Sequence, residues 1–105
     1  MSLHCPARFV VVPAPSALAL DTVEALRGER VALVCAARAE SEAAKGVAVL
    51  LGCPVDVLDA PLDNAWAASL TAVADLHRGE TVVLVVPAEV SLPSRFEIGD
   101  DGIAI

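Results

Sequence analysis

Few side chains in this chain are equipped for chemistry, and their positions limit what that chemistry can be. The stretch "VVLVVPAE", Val82 to Glu89, reads as a buried strand running into a proline-marked turn, where α/β enzymes mount catalytic residues. Ala88 and Glu89 stand there, so the turn offers a carboxylate but no nucleophile. Arg38 follows a second apolar stretch and stands near the start of a helix, so its guanidinium lies close to exposed backbone N–H groups that suit a weak anion site. Its competing role is an ion pair with Glu42, four residues on. Ser16 follows a third strand end, where helix capping is its expected task. Asp56, Asp59 and Asp63 lie close together but lack the spacing of a calcium loop. Cys5, Cys35 and Cys53 form no CxxC pair, and with His4 and His77 they make no zinc framework, so neither a metal nor a cofactor is expected. No GxGxxG, GxxxxGK[ST] or GxSxG string occurs.

The elements that position these residues follow from periodicity. Arg8 to Val12 is a β-branched strand stopped by Pro13 to Ser16, because proline cannot donate to a ladder. Ser16 is expected to cap a helix reaching about Arg27, with Leu18, Val23 and Leu26 on its apolar face and Gly28 at its end. Arg30 to Ala36 is the second strand, and Arg38 to Leu51 an alanine-rich helix with Gly46 inside it. Pro54 to Leu58 is a third strand. A long helix from about Asp63 carries Leu62, Trp66, Leu70, Val73, Ala74 and His77 on a broad face and ends at Gly79. Thr81 to Val86 is the fourth strand, and the tail "RFEIGDDGIAI" alternates around Gly99 to Gly102 as a hairpin or returning edge strand.

With 105 residues the chain has one domain, 1–105, and one core. Alternating strands and helices imply a three-layer α/β/α domain, its sheet mainly parallel, with about four strands plus the C-terminal edge strand or hairpin. The hydrophobic share is 56% but aromatics are only 3%, so Ala, Val and Leu must build the core. A net charge of -7, with Lys45 the only lysine, leaves no basic stripe for nucleic acid. No apolar run nears the ~20 residues of a membrane span, and no charged segment with an apolar h-region opens the chain. The odd cysteine count reads as reduced thiols in a cytoplasmic protein.

Three stretches carry a resemblance. "VCAARAESEAAKGVAVLLGCPVDVLDAPL" resembles a Ser-Pro-Leu-x-Arg-Ala-x-Gln-Thr-Ala helix followed by a strand, with Arg38-Ala39 in the Arg-Ala place. "LHRGETVVLVVPAE" resembles Gly-Glu-Thr-Val-Leu-Val-Val-Ser-His-Gly, and "RFVVVPAPS" resembles a first strand leading into Arg-His-Gly. Together with the tail "SRFEIGDDGIAI" they are similar to the histidine phosphatase, or phosphoglycerate-mutase-like, superfamily. The resemblance places Pro13-Ala14-Pro15 where that family has its phosphate-binding arginine and nucleophilic histidine. It places Pro87-Ala88-Glu89 where the family has Ser-His-Gly. Both histidine positions are therefore alanine, and Arg38 alone remains of four phosphate-contacting residues. "PLDNAW" loosely matches the Leu-x-Glu and Gly-x-Trp segment, while "HRGET" at His77 to Thr81 is a helix end and strand start.

A phosphohistidine intermediate needs an imidazole nucleophile beside cationic donors, and alanine supplies neither. The expected function is thus a catalytically inactive histidine-phosphatase-like domain serving as a binding or regulatory module. The alternatives are an atypical phosphoryl-transfer enzyme and a homo-oligomeric structural domain. Expected partners are a second copy, because the apolar content exceeds what one small core encloses, and a weak anion or phosphorylated ligand at Arg38.

Overall fold

A computed structural model describes residues 5–58, 66–90, 92–99 and 102–104 of the chain. Strands and helices alternate as β1 (Ala7–Pro13), α1 (Leu20–Arg27), β2 (Val31–Ala37), α2 (Ser41–Leu51), β3 (Val55–Leu58), α3 (Trp66–Leu76) and β4 (Thr81–Val86). The chain then closes with β5 (Arg95–Gly99) and β6 (Gly102–Ala104). Single 3-10 turns, Ala14–Ser16 and Arg38–Glu40, follow β1 and β2.

The strands form one sheet in the order β3-β2-β4-β1-β5-β6. β4 lies inside it, and all six of its residues are buried, which is why its sequence is apolar without alternation. Its side chains divide by parity. Val82, Leu84 and Val86 join Phe9, Leu33, Phe96 and Ile98 beneath Leu70, Val73 and Ala74 of α3. Val83 and Val85 join Val10, Val12, Val34 and Ala36 beneath Leu26 of α1 and Ala44, Val47 and Ala48 of α2. Helices therefore cover both faces. Small residues at the α2 contacts let that helix approach the sheet closely, while Phe9 and Phe96 stack across β1 and β5 with centroids 5.0 Å apart.

The sheet is mixed, which corrects the expectation of a mainly parallel one. β1, β2, β3 and β4 pair in parallel, but β5 runs antiparallel to β1 and β6 antiparallel to β5. The cause is connection length. A parallel crossover takes a dozen or more residues, usually with a helix, and the chain between Val86 and Arg95 is too short for one. The tail then turns back on itself, with Gly99 paired to Gly102, whose φ of 101° suits glycine.

The start of the first helix also differs from expectation. Ser16 does not cap it: its hydroxyl donates to the Pro13 carbonyl at 3.4 Å, inside the 3-10 turn. The helix begins at Leu20, after Ala19, and leaves Leu18 outside it, half-exposed. In the third helix Leu70, Val73 and Ala74 are buried as the periodicity requires. Leu62 and Asp63, expected near its start, lie outside the described residues.

Candidate functional site

In a parallel sheet covered on both faces, a ligand sits beyond the carboxyl ends of the strands. Register brings three such ends together here. Pro13, the last residue of β1, pairs with Val86, the last of β4, and Ala36 of β2 pairs with Val85 on the other side of β4. The turns that follow, Ala14–Ser16, Arg38–Glu40 and Pro87 to Glu89, therefore emerge side by side. Both proline-marked turns are tied by their own backbone: Ala17 N–H donates to Ala14 O at 3.2 Å, and Val90 N–H to Pro87 O at 3.1 Å.

The side chains on these turns are sparse in chemistry. Ala14 is half-buried and Ala88 exposed, so neither turn presents a nucleophile, acid or base at those positions. Arg38 is exposed and makes no hydrogen bond or ion pair among the described residues. The alternative pairing with Glu42 is not formed. Arg38 sits in the 3-10 turn ahead of α2, off the helical spacing that pair needs, and Glu42 instead accepts from Lys45 Nζ at 3.4 Å, one turn along α2.

Glu40 belongs to the same crevice. Desolvation raises its carboxyl above the ordinary range, and the negative charge of Glu89 raises it further. Carboxylates that follow two neighbouring strands, Glu40 after β2 and Glu89 after β4, are thus near enough for the charge of one to act on the other. Arg38 shares its 3-10 turn with Glu40, so an anion drawn to the guanidinium also meets carboxylate repulsion, and weak binding is expected. Glu40 belongs to no motif in the sequence, and its place at the crevice follows from β2 and β4 being neighbours.

The remaining reactive side chains lie elsewhere. Burial pushes the Cys35 thiol up to about 12, with the charge of Asp56 as the lesser cause, and burial also raises that of Cys53, which is half-buried. Neither favours a thiolate near neutral pH. Cys5 is exposed. His77 follows α3, its Nδ1 2.9 Å from Glu80 Oε1, and both residues precede β4, at the end of the sheet opposite Pro87. His4, Asp59 and Asp63 lie outside the described residues. Among the described residues no three His, Cys, Asp or Glu side chains are grouped to hold a metal, and no helix is long and apolar enough to cross a membrane.

A cleft of about 320 Å³ lies away from the crevice, lined by Arg8, Phe9, Arg95, Phe96, Glu97 and Ala104. Comparison of the chain with protein-family models, with curated proteins and with solved structures finds no match.

Proposed function

We propose that the chain is a catalytically inactive histidine-phosphatase-like domain of the phosphoglycerate-mutase-like α/β/α type, acting as a binding or regulatory module. The observation that carries this reading is the pairing of Pro13 with Val86. The resemblance assigns Ala14 and Ala88 to two histidines that must act on one phosphoryl group, although they are far apart in sequence. Adjacent parallel strands bring both positions to one crevice, with Arg38 emerging from the next strand. Helices on both faces of the sheet are consistent with the three-layer arrangement. Among the described residues the crevice holds no imidazole that would carry phosphate. Glu89 could serve as an acid only beside a nucleophile with a leaving group to protonate, and Ala14 supplies none.

The test is hydrolysis of p-nitrophenyl phosphate and sugar phosphates by the purified chain. No turnover above background is expected. Turnover that a single substitution in the crevice abolishes would establish the atypical enzyme instead. Ala14→His with Ala88→His should recover little, because Pro13 still withholds the partner arginine and residues of a catalytic unit act non-additively. Retention of a weak anion ligand is read from melting: phosphate at millimolar concentration should stabilise the chain slightly, and Arg38→Ala should remove the effect.

Self-association into a dimer is a second reading, favoured by Leu20, Val49 and Leu76, each more than three-quarters exposed at 77%, 80% and 79%. Light scattering at micromolar concentration tests it. A mass near 10.8 kDa makes the chain a monomer, and a doubled mass makes it a dimer.

A further inference from the structure

We propose that the open edge of β6, with the cleft beside it, docks an extended segment of a partner protein in which basic residues alternate with apolar ones, adding it to the sheet as a further strand. This site is independent of the crevice at Pro13 and Pro87, from which β5 and the start of β1 separate it.

The backbone supplies the first part of the recognition. Among the described residues β6 ends the strand order and pairs only with β5, and its three residues are all exposed. Such an edge presents N–H and C=O groups that a second extended chain satisfies in full, which is how β-augmentation gains affinity independent of sequence.

The two faces of the edge then select the side chains. Ile103 stands opposite Ile98, which is buried with Phe9 and Phe96 beneath α3. Ile103 itself remains 41% exposed, so this apolar face runs unbroken to the edge and asks for an apolar neighbour. On the other face Ala104 stands opposite Glu97, and Glu97 opposite Arg8, a row across three strands that lines the cleft. The cleft is open because the core beneath α1 and α2 includes no residue of β5 or β6.

Charge decides which long side chain enters that cleft. Arg95 is held by Glu29 through both terminal nitrogens, and Arg8 lies two strands in from the edge. Among the described residues Glu97 is therefore the charge nearest the edge on this face that no ion pair holds, with Arg8 opposite it one strand further in. It is half-buried and makes no side-chain hydrogen bond or ion pair among the described residues. Ala104 offers only a methyl group in the way, so a lysine or arginine opposite it can cross to Glu97. The same arrangement opposes a second copy: two β6 edges paired antiparallel would bring both Glu97 carboxylates to one face, between chains of net charge -7.

The test uses a fluorescein-labelled peptide of three Lys-Val repeats, with its Glu-Val counterpart, a block isomer of three lysines followed by three valines, and a form N-methylated on alternate amides. Anisotropy titration should show binding of the alternating Lys-Val peptide alone. Glu97→Gln, an isosteric change whose fold is checked by circular dichroism, should weaken it roughly three- to five-fold, the worth of one opposed charge pair. N-methylation, which leaves the protein untouched, should weaken it roughly ten-fold or more. Failure of the Lys-Val peptide to bind overturns the proposal. Equal binding of the block isomer or the N-methylated form shows mere charge attraction and overturns it too. A doubled mass that Ile103→Lys returns to the monomer value assigns the edge to a second copy instead.

Discussion

Arg95 grips Glu29 with two hydrogen bonds, Nη1 donating to Oε1 at 3.2 Å and Nη2 to Oε2 at 2.6 Å, although 66 residues separate them in sequence. The pair ties the first residue of β5 to the turn between α1 and β2. It is the one ion pair, among the described residues, that ties β5 to the segment after α1. Arg95 is 61% exposed and Glu29 31%, so water screens the pair and its worth is modest, about 0.5 kcal/mol.

The hydrogen bond from Arg95 lowers the Glu29 carboxyl below its ordinary value of 4.5, so its stabilisation is full above that value. It is lost as pH falls through the lower folded value, where the carboxylate is protonated. Glu29→Gln should therefore cost about 0.5 kcal/mol at pH 7 and progressively less towards pH 3. Urea denaturation at the two pH values checks this; an equal difference at both would detach the effect from the ion pair.

The parts of this fold that rest on local pattern were legible in the sequence. β4 reads as a strand because six consecutive buried positions admit only apolar residues and one threonine, and the tail reads as a hairpin because glycines flank its turn. The start of α1 was not legible, since Ser16 has the chemistry of a cap yet spends its hydroxyl on the Pro13 carbonyl. The mixed sense of the sheet depended on the length of the link after Val86, not on the composition of β5. In the crevice, the strand ends were marked by Pro13 and Pro87. The influence of Glu89 on Glu40 was hidden, because it depends on β2 and β4 being neighbours.

Glu40 should behave oppositely to Glu29. Its folded carboxyl is raised, by desolvation first and by Glu89 second, so ionisation is harder in the folded chain than in the unfolded one. The resulting destabilisation is absent below the ordinary glutamate range and complete above the raised folded value. Glu40→Gln should thus raise the melting temperature at pH 7 and leave it unchanged near pH 3. Glu89→Gln should give a smaller rise of the same sign. A melting temperature lowered at pH 7 by either change would show that the carboxylates are held by attraction, not set against one another.

The cysteines should separate by burial. Native protein treated with iodoacetamide at pH 7.5 should be modified first at exposed Cys5, slowly at half-buried Cys53, and at Cys35 only in denaturant. Mass spectrometry of peptides over a time course reads the order. Labelling of Cys35 as fast as Cys5 would mean that β2 opens readily, contrary to its burial at 0% exposure in the core.

Gly46 sets a helix preference against a contact. It lies inside α2, where glycine costs about 1 kcal/mol relative to alanine. A methyl group built there would stand 3.1 Å from Leu18 Cδ2 and 3.3 Å from its Cδ1. Those atoms are the free end of a side chain that is 53% exposed, and a shift of a few tenths of an ångström towards solvent relieves the contact. Gly46→Ala should accordingly stabilise the chain by roughly 0.5–1 kcal/mol, seen as a higher urea midpoint with unchanged slope. Adding Leu18→Ala removes the contact, so the gain from Gly46→Ala should be the same or slightly larger in that background. A loss of stability on Gly46→Ala, restored by Leu18→Ala, would instead mean that Leu18 is pinned against α2 and that the glycine is there to admit it.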